Sequence, residues 1–139
     1  MQRFPIAFLA GGAAAAVLVL GGCQKAPGAN PADPYAGLSD AILDWRGDID
    51  RSPDCAAKPT DGGKACQTYE VGCKAVQPIG PGDRGVTAKL VAAMSWTAWN
   101  PKRGDYEPAS GGAIFAKTDG KWVRQDLAGP VNLSTCATS

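Results

Sequence analysis

The sequence predicts an α+β domain, with one N-terminal helix packed on a curved antiparallel sheet of three to four strands and two disulfides bracing it. Three observations carry this expectation. Apolar residues step by four, three and four from Leu38 to Ile49, they recur at every second position through much of Gln67 to Trp99, and four cysteines are spread over the same part of the chain.

Leu38, Ile42, Trp45 and Ile49 make one stripe, while Asp40, Asp44, Asp48 and Arg51 fall on the other side. This is the layout of a helix with one face on a core. Ser39 is the expected N-cap, with Asp40 at the positive end of the helix dipole and Leu38 stapled to Leu43. Gly47 weakens the helix by about 1 kcal/mol relative to alanine. Pro53 ends it near Arg51.

From Gln67 to Pro78 the residues Tyr69, Val71, Cys73 and Ala75 alternate with Thr68, Glu70, Gly72 and Lys74, as in a half-buried strand. A helix is the other reading of this stretch, because Ala65, Tyr69, Cys73 and Val76 also share a helical face. Gly80-Pro81-Gly82-Asp83 then forms a turn. Val86 to Trp99 is the clearest strand: Val86, Ala88, Leu90, Ala92, Met94, Trp96 and Ala98 point one way and Thr87, Lys89, Ser95 and Thr97 the other. Asn100 to Ser110 reads as a polar loop. Ala113 to Lys117 and Lys121 to Leu127 flank Thr118-Asp119-Gly120, whose Asp-Gly pair suits a tight hairpin. The tail from Ala128 is irregular up to Cys136. In order of elements alone, this outline resembles cystatin-like and nuclear-transport-factor-like folds, which host both enzymes and binding modules.

Ahead of the domain, Met1-Gln2-Arg3 places positive charge before an apolar run from Phe4 to Leu20, the arrangement of a secretion signal. The run contains Pro5, Gly11 and Gly12 and is shorter than the roughly 20 residues that span a bilayer. It ends in Leu20-Gly21-Gly22-Cys23, which resembles the lipobox of bacterial lipoprotein precursors. The resemblance covers only the signal. It implies cleavage before Cys23, acylation of that cysteine and a lipid bilayer as the first partner; Gln24, where the inner-membrane retention signal has aspartate, implies the periplasmic face of the outer membrane. The chain thus divides into a signal peptide (1–22), a lipidated cysteine with a flexible linker (23–37) and a single periplasmic domain (38–139). The linker, QKAPGANPADPYAG after Cys23, reaches at most about 40 Å.

Once Cys23 is set aside, Cys55, Cys66, Cys73 and Cys136 remain, an even set for an oxidising compartment. Three pairings are open. The favoured one joins Cys55 to Cys66 around the turn formers Pro59 and Asp61-Gly62-Gly63, and Cys73 to Cys136, pinning the tail to the sheet. A zinc site is disfavoured by the absence of histidine and of any CxxC spacing.

The 14 basic and 13 acidic residues nearly balance, which argues against a nucleic-acid partner. No histidine is present to act as a base near neutral pH, so no catalytic residue, metal ligand or cofactor is assigned. Asp48, Asp50 and Asp54 lack the glycine and terminal glutamate of a calcium loop. Arg46-Gly47-Asp48 and Arg103-Gly104-Asp105 both spell an adhesion tripeptide, the first inside the expected helix and the second in the expected loop. Trp99, beside Lys102, Arg103 and Tyr106, is the candidate binding patch, a cationic-aromatic surface suited to another envelope protein or to the cell wall. The expected role is therefore a membrane-anchored, non-enzymatic binding or accessory module. The competing expectation is a small ligand carrier or enzyme with a pocket between helix and sheet.

Overall fold

The computed structural model describes residues 33–138. The apolar run, the Leu20-Gly21-Gly22-Cys23 tetrad and most of the linker lie outside the described residues. Within them, no helix is long and apolar enough to cross a membrane.

Helix α1 (Leu38–Asp50) and a 3-10 turn (Pro53–Cys55) precede four strands, β1 (Cys66–Val76), β2 (Val86–Asn100), β3 (Asp105–Thr118) and β4 (Lys121–Asp126). The strands lie side by side in chain order, each antiparallel to the next. The structure is thus α+β, and the reading of Gln67 to Pro78 resolves to a strand.

The apolar stripe of α1 packs where its spacing requires: Leu38, Trp45 and Ile49 are buried and Ile42 is half-buried against Leu90, Met94, Trp96 and Phe115. Trp45 meets Phe115 edge-on, with ring centroids 5.8 Å apart, a favoured aromatic geometry. Asp48, expected to face water, stands on the flank of this stripe, where it accepts from Arg124 of β4 at 2.7 Å and from Arg51 at 2.6 Å, and these two guanidiniums hold its carboxyl below the usual carboxylate range.

The start of α1 departs from expectation. Gly37, in the left-handed region at φ 81°, is the N-cap in place of Ser39, and no side chain caps the helix. Leu38 is then already helical, so it cannot occupy the stapling position before the cap, and Leu43 is 61% exposed. The cause is tertiary. Trp122 Nε1 donates to the Ala36 carbonyl at 3.0 Å, Lys117 Nζ donates to the same carbonyl at 3.0 Å and to that of Pro34 at 3.2 Å, and Tyr35 stacks on Trp122. These contacts fix the chain ahead of the helix and decide where it begins.

Two strand expectations are also corrected. Tyr69 and Val71 pack toward α1, but Cys73 and Ala75 pack on the opposite face. The register breaks between Val71 and Cys73, so the bulge at Gly72 inverts the alternation. A side chain at Gly72 would start 2.5 Å from the Leu133 carbonyl oxygen, which is why glycine stands where the tail crosses the strand. The expected loop Asn100 to Ser110 shrinks to a turn at 101–104, because β3 begins at Asp105 and pairs with β2 along its whole length. β4 covers β3 only from Ala113 to Thr118. The first half of β3 is therefore an open edge, where Pro108, lacking a donor, is tolerated.

Both disulfides take the favoured pairing. Cys55–Cys66 closes 11 residues and Cys73–Cys136 closes 63, worth about 3 and about 4 kcal/mol respectively if chain entropy alone acts. The second fastens the tail over the face away from α1. There Val131 and Cys136 are buried against Val91 and Ala93, with Leu127 and Leu133 packed beside them.

Candidate functional site

Trp99 and Tyr106 are directly opposite each other on β2 and β3, and cross-strand partners share a face. Their rings meet edge-on with centroids 5.2 Å apart, and both are partly exposed. They occupy the face away from α1, since the neighbouring Ala98 packs into the helix-side core and successive strand residues point to opposite sides. Tyr106 Oη donates to the Lys64 carbonyl at 2.7 Å, so the disulfide loop before β1 fixes the ring. A side chain at Gly63 would start 3.0 Å from the same hydroxyl.

The two cations of the candidate patch do not join these rings. Arg103 Nη1 binds Glu107 Oε1 at 2.6 Å, and Glu107 is the cross-strand partner of Ala98, on the helix side. Asn100 Nδ2 donates to the other Glu107 oxygen at 2.7 Å, and together Asn100 and Arg103 hold this carboxyl below its ordinary range. Lys102 is exposed at the turn and forms no ion pair among the described residues. The cation–ring contacts that do form lie elsewhere, Arg46 over Tyr69 and Lys117 over Trp122. The structure thus brings Trp99 and Tyr106 together, turns Arg103 to the other face and leaves Lys102 at the tip.

The turn itself depends on Asn100, a residue the sequence reading passed over. Its Oδ1 accepts the amides of Lys102 and Arg103, and its carbonyl accepts those of Arg103 and Gly104. The signal for it was present, since an Asn before Pro and ahead of a Gly is a turn former. The second adhesion tripeptide therefore sits in an exposed turn, with Gly104 at φ 66° and Arg103 engaged by Glu107. The first lies inside α1.

A second cluster joins the end of α1 to the sheet. Tyr69 Oη donates to Asp50 Oδ1 at 2.5 Å, joining the end of α1 to β1. Partial burial, and then the neighbouring Asp50 carboxylate, push the phenol well above its ordinary range and keep it protonated. Beside this pair an open cleft of about 580 Å³ runs along the Cys55–Cys66 bridge, lined by Asp50, Lys58, Pro59 and Lys64. Among the described residues no group of three or more carboxylates or cysteines is placed to hold a metal ion. Both cysteine pairs are consumed as disulfides.

No family model, curated protein or solved structure matches the chain.

Proposed function

We propose that this chain is a bacterial envelope lipoprotein, anchored through acylated Cys23 on the periplasmic face of the outer membrane, whose domain binds another envelope protein or the cell wall without catalysing a reaction. The observation that carries this reading is how the cysteines are used. Four of the five are paired in disulfides, the state favoured in an oxidising compartment, and the fifth follows Leu20-Gly21-Gly22. Acyl chains contribute about 0.8 kcal/mol per buried methylene, so a doubly or triply acylated cysteine holds a domain on a bilayer without a transmembrane helix. On this reading the sheet curves around α1, bent by the register breaks in β1 and at the start of β2, and the Trp99–Tyr106 pair is the contact surface.

The test is fractionation. Cys23→Ser should move the protein from the membrane to the soluble fraction; retention on the membrane would overturn the anchor. Cross-linking of the wild-type chain, with Trp99→Ala as control, should capture an envelope protein or wall fragment that the variant loses.

The disulfide-lined cleft favours a second reading, a small-ligand carrier, because its volume lies within the range of ligand sites, roughly 300–1,000 Å³. Against it, the space between α1 and the sheet is filled by Trp45, Met94 and Phe115.

A further inference from the structure

We infer that the β1–β2 hairpin rests on the surface of the bilayer to which the chain is tethered, and so orients the domain; this rests on the lipid-anchor reading above. The tip of the hairpin and the start of the described chain share one end of the molecule. The described chain starts at Asp33, whose neighbours Pro34 and Ala36 are clamped by Lys117 and Trp122, and Tyr35 and Leu38 line an apolar hollow together with Val76 and Leu90. Asp33 is ten positions beyond Cys23, so this end stays within about 35 Å of the lipid even with the linker fully extended.

At that end the hairpin presents what a lipid surface takes. Val76 is 68% and Ile79 is 47% exposed, two of the four large apolar side chains left in solvent among the described residues. Lys74 and Arg84 flank them, both exposed and without an ion pair among the described residues. The hairpin's own acid in the turn, Asp83, is neutralised by Lys89 at 2.9 Å and also accepts from the Gly80 amide. The other acids of this end, Asp33, Asp40 and Asp119, belong to the linker, α1 and the β3–β4 turn. Apolar side chains flanked by unpaired cations match the acyl boundary and the phosphate layer of anionic lipid. Tethering raises the local concentration of the surface, so even a weak contact is populated. Trp99 and Tyr106 then face away from the membrane, at the far end of β2.

The experiment uses the mature acylated protein in phosphatidylglycerol–phosphatidylethanolamine vesicles containing a headgroup nitroxide quencher. A fluorophore is placed on Ile79→Cys in one preparation and on Lys102→Cys in another, acylated Cys23 and the disulfides leaving no other reactive thiol. Quenching at position 79 that is absent at 102, and lost in Lys74→Glu/Arg84→Glu, is the expected result. Equal quenching at both positions on vesicle-bound protein would overturn the hairpin contact while leaving the anchor intact. Protein that fails to float with the vesicles would overturn the anchor reading, and the contact with it.

Discussion

On the helix side of the sheet, Trp45, Met94, Trp96 and Phe115 meet in a core of large side chains, whereas on the tail side the buried residues are Val91, Ala93, Val131 and Cys136. The first face is covered by a regular element that brings its own apolar stripe. The second is covered by an irregular segment whose hold comes from the Cys73–Cys136 bridge and from glycines that let it lie close. Burial of large side chains suffices to hold a helix. A tail with little apolar surface needs a covalent bond and clearance.

This contrast can be broken at four points. Phe115→Ala, at a residue with no exposure, should cost about 3–5 kcal/mol in denaturant unfolding; a loss below about 1 kcal/mol would mean that the helix side is not the main core. Replacing Cys73 and Cys136 together by serine should cost up to about 4 kcal/mol. Its distinguishing sign is local: limited proteolysis should cut within 128–138 while the near-ultraviolet signal of the helix-side tryptophans persists. The two faces can also be compared at adjacent residues. An alanine Cβ at Gly112 would run into Val131 of the tail, while one at Gly111 would sit 3.4 Å from the Trp96 ring. Gly112→Ala should therefore destabilise by about 1–3 kcal/mol and Gly111→Ala by less, read from the shift in denaturation midpoint.

The smallest effect concerns the seam between α1 and β1. The folded-state pKa of Tyr69 is raised, so the folded protein holds this proton more tightly than the unfolded chain does. The associated stability is fully present below the ordinary tyrosine pKa of about 10 and declines as pH rises beyond it. Thermal midpoints should fall between pH 9 and pH 11, two readings taken about one unit either side of that pKa, and Tyr69→Phe should flatten the fall. An unchanged slope in the variant would detach the effect from this phenol.

The sequence made the helix side legible because one periodicity described it. The four-three-four stripe of α1 and the alternation from Leu90 to Ala98 both point at the same core, and the structure packs those residues there, Ile42 and Ala98 at its margin. The tail side was not legible, since Val91 and Ala93 look like interruptions of that alternation until the tail is known to cover them. The Gly72 bulge hides the change of face in β1, because a period of two survives while its phase inverts. The start of α1 was misplaced for a related reason: Ser39 is a good local cap, but Trp122 and Lys117, far along the chain, hold Ala36 and set the first turn. Of the candidate patch, the pairing of Trp99 with Tyr106 followed from strand spacing once the turn was known. The diversion of Arg103 depended on Glu107, which the sequence reading had placed in a loop.

The clamp on Ala36 also has a mechanical meaning. It joins the chain leading to the N-terminus to β3 and β4 at one end of the sheet, while Trp99 and Tyr106 lie at the other end of β2 and β3. On the anchored reading proposed above, a pull between the membrane and a partner held at those rings would run lengthwise along β3, from Lys117 to Tyr106, through its covalent backbone rather than across the sheet. Under that reading the sheet is oriented to carry tension.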